Sequence, residues 1–223
     1  VIRPHAWARL ESHHKQVSPA AMPEITQPPL QALVWAPVFK LLERHQPFDP
    51  VKGGSIYLLD RAVACLGVLG FLLTLWWTHG AARRLFDETV AGVALLCLLV
   101  CEPLWQLSVS GSPLALLTML FALCFRLLAS AQVRLQEGES VLLPAVGIGL
   151  LAALMLLTHW MALWLVAGLI LACALTMREN KPAVIVIAVL PLMALAAWGL
   201  WLTQVCGDPL GGAKPLFQAH LLT

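Results

Sequence analysis

The sequence predicts an all-α, polytopic membrane protein with about six transmembrane helices and one amphipathic helix on the membrane surface. Three observations lead to this fold class. The chain has 223 residues, of which 60 % are hydrophobic and only 12 % are charged, and its mean hydropathy is +0.82. An average soluble domain carries about 25 % charged and about 45–50 % apolar residues. The apolar residues form continuous runs of about helical membrane-spanning length, and the basic residues fall in alternate loops.

Six stretches are long and apolar enough, or nearly so, to cross a bilayer, which needs about 20 residues of helix. They are Tyr57–His79, Val90–Ser108, Pro113–Ala131, Val141–Leu157, Met161–Met177 and Ala183–Leu202. Only Thr158, His159 and Trp160 separate the fourth from the fifth, which predicts a tight helical hairpin. The runs are too long for strands, which average about 5–6 residues. They do not alternate, as the strands of a transmembrane barrel would.

The basic residues of the short loops predict the orientation. The loops after the first, third and fifth stretches hold Arg83, Arg84, Arg134, Arg178 and Lys181, whereas the two intervening loops hold no Lys or Arg. Basic loops face the cytoplasm. Residues 1–56 and the tail 203–223 then lie on the outer face, with the transmembrane domain 57–202 between them. We expect a bacterial inner membrane protein whose residues 1–56 are periplasmic.

The segment before the first span predicts an interfacial helix at residues 29–45. Pro28-Pro29 is a helix-starting pair. The apolar residues that follow repeat at helical spacing, whereas the opposite face is polar; the apolar set is Leu30, Leu33, Val34, Val38, Leu41 and Leu42, and the polar set is Gln31, Lys40 and Glu43. The stretch is too short to span and too amphipathic to be buried, as expected of a helix on the outer leaflet.

Composition and spacing exclude several other classes of protein. The net charge is only +2 and no basic cluster exists, which argues against nucleic-acid binding. The six cysteines show no CxxC spacing, and most lie in apolar runs, so they are expected in the core. His5, His13 and His14 have no further ligand at metal spacing, so no metal site is predicted.

Four polar residues at or near the ends of the spans are the candidate site residues: Asp60, Arg61, Glu102 and His159. Polar groups in a membrane are costly and are functional candidates by default. The predicted topology places all four near the outer leaflet, which favours a polar site at the membrane–water boundary. Asp60 and Arg61 have a second interpretation, in which they only extend to the interface. Glu102 has one as well, in which it pairs with Arg61 or a backbone group. Arg126 is interpreted as extending to the inner interface.

Three stretches in order along the chain then carry a resemblance. They are Pro23–Leu30 with the amphipathic helix, Asp60-Arg61 followed by Ala82–Phe86, and Gly147–Leu150 running to Leu157-Thr158-His159. They resemble segments of the GT-C fold glycosyltransferases that use polyprenyl-phosphate sugars. The most similar members in pattern are the bacterial dolichyl-phosphate-mannose-protein mannosyltransferase-like proteins and the lipid A aminoarabinose transferases. In that family His or Lys precedes Pro-Pro-Leu, an inner loop reads Arg-Arg-Leu-Phe-Gly, and a glycine-containing run ends in Leu-Thr-Lys.

The resemblance implies transfer of a sugar from a polyprenyl-phosphate lipid to a protein, lipid or glycan acceptor at the outer face. Arg61 and His159 would face the donor phosphate, and the predicted common depth of Asp60 and Glu102 adds these two residues to the donor-binding site. Gln27 would occupy the place of a lipid-binding His or Lys, although it carries no charge. Some members of the family use a divalent cation and others do not, so a cation is left open.

The catalytic Asp that the family carries before Pro-Pro is not visible in this sequence. The resemblance leaves Glu11, Glu24 and His5 as the candidates for a general base in the segment that precedes Pro28. We expect the chain to be an N-terminal membrane piece of a longer enzyme, with the Asp either upstream of Val1 or lost. The alternatives are a non-catalytic relative that binds lipid phosphate and a transporter. Transporters usually show repeats and broken spans, and neither is evident in the sequence.

Overall fold

The computed structural model describes residues 28–43 and 58–206, and these two ranges are almost entirely helical. The helices in chain order are α1 (Leu30–Glu43), α2 (Leu58–Leu85), α3 (Glu88–Leu99), α4 (Glu102–Val109), α5 (Pro113–Gln136), α6 (Leu142–Leu156), α7 (Ala162–Thr176) and α8 (Lys181–Cys206). No strand occurs within the described ranges. The all-α class is therefore confirmed for this part of the chain, and a helix is present where the interfacial helix was predicted.

Three helices are long and apolar enough to cross a membrane, namely α2, α5 and α8. The pair α3 and α4 adds a fourth span if the two helices are counted together. Helices α6 and α7 have 15 residues each and are about 22 Å long, less than the roughly 30 Å of a bilayer core. They are short because the turn between them takes in Leu157 and Met161, which the sequence analysis assigned to the spans. The structure thus offers three or four spans by length, against the six predicted.

The predicted span Val90–Ser108 is not one continuous helix, which corrects the sequence analysis. Helices α3 and α4 meet at a bend of 60°. Pro103 explains the break, because its ring lacks the N–H that would bond to the carbonyl of Leu99 and clashes with that carbonyl in a continuous helix. The indole Nε1–H of Trp105 instead donates to the Leu99 carbonyl over 2.7 Å. A backbone acceptor freed by the bend is therefore satisfied.

The helices pack as two groups of parallel neighbours. Helices α2 and α5 run parallel, because Gly70 faces Met119 and Gly80 faces Arg126 at a nearly constant offset in sequence. Helices α6 and α8 also run parallel, with Gly149 packed against the backbone of α8. Helices α5 and α6 join the two groups. The core lies mainly along α5, α6, α7 and α8.

The turn between α4 and α5 has a defined geometry that matters for the candidate site. Gly111 has a φ of 67°, in the left-handed region that favours glycine. The hydroxyl of Ser112 then caps α5 by accepting from the N–H of Leu114 over 3.3 Å, and Pro113 occupies the first turn. The carbonyl of Gly111 is left free to accept a hydrogen bond from another segment.

Candidate functional site

Helix α1 is attached by its first turn to two turns of the bundle. The N–H of Leu30 donates to the carbonyl of Leu157 over 2.8 Å. The side-chain amide of Gln31 donates to the carbonyl of Gly111 over 2.5 Å, and Gln31 is only 7 % exposed. Helix α1 also contacts α2. We call this region the α1 end: helix α1, the turns Ser110–Ser112 and Leu157–Met161, and the first turn of α2.

Helix α1 leaves some of its apolar side chains exposed, although Leu30 packs against the core of the bundle. Leu33 is 65 % exposed and Leu41 is 61 % exposed, whereas Gln31 is buried. The sequence analysis placed Gln31 on the polar, outward face, and the structure reverses that assignment because the amide has a carbonyl partner in the bundle. An exposed apolar patch of this kind marks a surface that contacts another protein or a membrane.

His159 lies in the turn between α6 and α7, two residues from the attachment point of α1. Its Nδ1 accepts a hydrogen bond from the N–H of Met161 over 3.1 Å. This bond assigns the proton of the neutral imidazole to Nε2. Burial lowers the pKa of the His159 imidazole below its usual value. His159 is therefore neutral near pH 7. It offers an N–H donor, whereas a lysine at this position would supply a full positive charge.

Asp60 and Arg61 lie in the first turn of α2 and are both exposed. Neither side chain forms an ion pair or hydrogen bond with any residue that the structure describes. The guanidinium of Arg61 thus keeps its donors available to a ligand at the α1 end.

Glu102 lies at a different depth from these two residues. It is the first residue of α4, it is exposed, and it accepts from the amide of Gln106 over 3.0 Å. Ser108 near the end of α4 packs against Gly67, which is already about 10 Å along α2 from Asp60. Because α4 runs antiparallel to α2, Glu102 lies roughly 20 Å from Asp60 along the bundle axis. The four polar residues therefore do not share one depth.

Comparisons with protein-family models, with curated protein sequences and with solved structures found no match.

The remaining predicted site residues lie outside the described residues. These are His5, Glu11, Glu24 and Gln27, so the structure describes none of the three residues predicted as candidates for the general base. Within residues 28–43 and 58–206 no three or more His, Cys, Asp or Glu side chains gather where they could hold a metal ion. The described residues therefore do not form a ligand set for the divalent cation that the family resemblance left open.

Two features escaped the sequence analysis. The first is Gln31, whose burial depends on a carbonyl 80 residues away and which local periodicity cannot reveal. The second is a small polar cavity between α2, α4 and α5, beside the bend. The hydroxyls of Thr74, Ser108 and Thr118 line it, and each donates to a carbonyl of its own helix. Each of the three follows a small or apolar residue by four positions, and this spacing does not indicate a cavity in the sequence.

Proposed function

We propose that this chain is the membrane-embedded part of a glycosyltransferase that takes a sugar from a polyprenyl phosphate at the α1 end. The observation that supports this proposal is the attachment of α1 beside His159. A helix with exposed apolar side chains, fixed to the turn that carries an imidazole N–H donor, suits a lipid whose chain is apolar and whose headgroup is a phosphate. The family resemblance of the three sequence segments points to the same substrate class.

In this proposal the donor-binding groups at the α1 end have distinct tasks. Arg61 neutralises the charge that develops on the leaving phosphate, and the Nε2–H of His159 donates a hydrogen bond to it. Gln27 contacts the same headgroup as a neutral donor, whereas Asp60, which forms no ion pair with Arg61, is given no task. Glu102 lies too deep to touch the same phosphate, so we remove it from the donor site.

The transfer itself needs a base that accepts the proton of the acceptor. The acceptor oxygen or nitrogen forms a bond to C1 of the sugar, the bond from C1 to the phosphate oxygen breaks, and the polyprenyl phosphate leaves with that electron pair. Glu11, Glu24 or His5 receives the acceptor's proton.

The proposal also includes an arrangement in the membrane, which goes beyond what the lengths of the helices support. All six apolar segments cross the membrane, with α3 and α4 together as the second span. Helices α6 and α7 match the bilayer by local thinning, which costs a fraction of a kcal/mol per Å. The α1 end then faces the periplasm of a bacterial inner membrane, since the Arg- and Lys-containing loops lie at the opposite end.

The test is a transfer assay on the full-length protein in membranes with a radiolabelled polyprenyl-phosphate sugar. We expect Arg61→Ala to reduce transfer at least about 100-fold, as is usual for the loss of a group that stabilises transition-state charge. We expect His159→Ala to reduce it about tenfold or more. Arg134→Ala is the matched control, because Arg134 is exposed at the opposite end of the bundle, and it should leave transfer unchanged.

The outcomes separate the alternatives. Consumption of the donor by the wild type, with loss in both variants at the α1 end, supports the enzyme. Binding of the lipid phosphate without consumption favours a non-catalytic relative. Equal activity of the wild type, Arg61→Ala and His159→Ala would remove the α1 end from the reaction.

A second candidate is a transporter, and the bend between α3 and α4 favours it. Broken helices near the middle of the membrane commonly hold the binding sites of transporters. Here the break carries Glu102 and adjoins the cavity lined by Thr74, Ser108 and Thr118. Glu102→Gln distinguishes the two functions, since it should leave sugar transfer intact if the chain is the proposed glycosyltransferase. Loss of transfer in Glu102→Gln with retention in Arg61→Ala would move the functional site to the bend.

A further inference from the structure

The end of the bundle opposite α1 carries a group of basic side chains. Some have a carboxylate partner, and others have none among the described residues. The carboxylate of Glu88 lies 2.7 Å from Arg83 and 3.5 Å from His79. Glu139 lies 4.0 Å from Arg134. Arg84 and Arg126 have no carboxylate within ion-pair distance among the described residues. We call the groove between Gly80–Arg84 of α2 and Arg126–Ser130 of α5 the arginine groove.

Arg84 is oriented into the arginine groove by a hydroxyl. Its guanidinium donates to Oγ of Ser130, and that hydroxyl donates in turn to the carbonyl of Arg126 over 2.9 Å. The hydrogen bond uses one of the five N–H donors of the guanidinium. The rest of the donors remain available on a side chain that is held in place.

The side chain of Arg126 crosses to α2, whereas the sequence analysis interpreted it as extending to the inner membrane interface. Its guanidinium lies against Gly80, where an added Cβ would be 3.3 Å from Nη1. The residue is half-buried, and its guanidinium makes no hydrogen bond or ion pair with any described residue. Removing a charged group from water without a partner is costly. An anion bound to the Arg126 guanidinium would offset this cost.

Arg84 and Arg126 lie on neighbouring helices near the same end of the bundle. Helices α2 and α5 are parallel here, with Gly80 beside Arg126 and Arg84 beside Ser130, so the two arginines are offset by about one turn, or roughly 5 Å, along the helix axes. Two like charges in the same region of the bundle repel each other, and an anion bound between them offsets that repulsion. A phosphate has several oxygens and accepts from two guanidinium groups at once.

We propose that the arginine groove binds a phosphate group, held by Arg84 and Arg126 together. The ligand class is an anionic phospholipid headgroup or free phosphate, which share this chemistry. A headgroup fits the position of Arg126 within the apolar helix α5, and basic grooves between transmembrane helices bind such headgroups. This proposal is independent of the proposed glycosyltransferase activity, since the groove lies at the other end of the bundle.

The experiment measures lipid binding to the full chain purified in a neutral detergent. Native mass spectrometry follows retention of phosphatidylglycerol or phosphatidylcholine, and thermal unfolding follows stabilisation by either lipid or by inorganic phosphate. We expect phosphatidylglycerol to be retained and to raise Tm more than phosphatidylcholine does. Arg84→Gln and Arg126→Gln should each weaken its binding about tenfold, as the loss of a charge-assisted bond predicts. Arg134→Gln is the control, since Arg134 has a carboxylate partner and lies outside the groove.

Two further arms keep the test decisive. Gly80→Val adds no charge but pushes the Arg126 guanidinium away, so it should weaken binding while the unliganded protein stays folded. Arg84 is exposed, so Arg84→Gln is expected to fold even if Arg126→Gln does not. Stabilisation by inorganic phosphate equal to that by the lipid supports the site and assigns it to free phosphate. Equal binding of phosphatidylglycerol by the wild type, Arg84→Gln, Gly80→Val and Arg134→Gln would overturn the proposal.

Discussion

The imidazole of His159 links protonation to the geometry of a turn. Its Nδ1 accepts the N–H of Met161 at the start of α7, and this bond is possible only when Nδ1 is unprotonated. Burial lowers the pKa of this group in the folded protein. The folded state therefore favours the neutral form, whereas the unfolded chain titrates near the ordinary pKa of about 6.5. The contribution of His159 to stability is complete above that pH and is lost as the pH falls through the folded pKa.

This linkage predicts a pH dependence of unfolding that a substitution removes. Between about pH 8 and about pH 5 the wild type should lose stability, because the unfolded chain binds the proton more readily. His159→Gln, which retains an acceptor for the Met161 N–H, should show a smaller loss of Tm over the same range. Thermal unfolding in detergent measures both. His79→Gln serves as the control. His79 lies at the opposite end of the bundle beside Glu88, so this substitution should leave the part of the Tm change with pH that is due to His159 in place. An unchanged slope in His159→Gln would contradict the assignment.

Single residues also decide where the helices end. Pro103 interrupts the apolar run of the second segment, and Trp105 satisfies the carbonyl that the interruption frees. Glu102 is exposed to the surroundings at this point because it starts a new helix. One proline and one indole therefore determine where the helix breaks and how the freed carbonyl is satisfied.

At the scale of elements, close approach between α2 and α4 depends on a residue without a side chain. A Cβ on Gly67 would lie 1.7 Å from the carbonyl oxygen of Ser108, so the two backbones are in direct contact. Small residues permit such contact between membrane helices. Helix α4 is held further by the ring contact of Phe71 with Trp105, whose centroids are 4.8 Å apart.

We predict that Gly67→Ala destabilises the protein, by about 1–3 kcal/mol if the helices separate slightly to accept the methyl group. Thermal or denaturant unfolding in detergent measures the change. Gly92→Ala is a closely matched control, because Gly92 is also inside a helix and nothing lies within 4 Å of an added Cβ. Alanine is the better helix former, so Gly92→Ala should be neutral or stabilising. Equal effects of the two substitutions would show that the contact at Gly67 is not tight.

At the scale of the whole molecule, the direction of the helices places the turns at two opposite ends. The turn Ser110–Ser112 lies at the α1 end, because Gly111 accepts the hydrogen bond of Gln31. The turn between α5 and α6, which contains Ser140, lies at the end of the arginine groove. Successive turns of the described chain, Ser110–Ser112, the turn between α5 and α6, and Leu157–Met161, thus lie at alternating ends of the bundle.

This arrangement predicts which turns a membrane-impermeant thiol reagent reaches. In a cysteine-free background, Ser110→Cys should react from the outside of intact cells, and Ser140→Cys should react only after the membrane is opened. The expectation rests on the basic loops facing the cytoplasm. Labelling of both positions from outside would show that the chain does not cross the membrane between them. Reversed labelling would place the α1 end, and the proposed transfer, in the cytoplasm.

Composition and periodicity determined the helical class and the apolar segments, because both depend on local sequence. Continuous apolar runs exclude strands, and Pro28-Pro29 marks the start of α1. The same local signals indicated turns at residues 109–112 and 158–160, close to where α4 and α6 end. They also drew attention to Arg61 and His159, since polar groups stand out in an apolar chain.

Only the tertiary structure decided which of these groups lie together. The sequence placed Glu102 with Asp60, but the register of α4 on α2 puts them roughly 20 Å apart. It placed Gln31 outward, but a carbonyl of a distant turn draws that amide into the bundle. It interpreted Arg126 alone, but the parallel packing of α2 and α5 brings that guanidinium beside Gly80 and within a turn of Arg84. Each outcome depends on contacts between residues far apart in sequence, whereas periodicity reports only on neighbours within one helix.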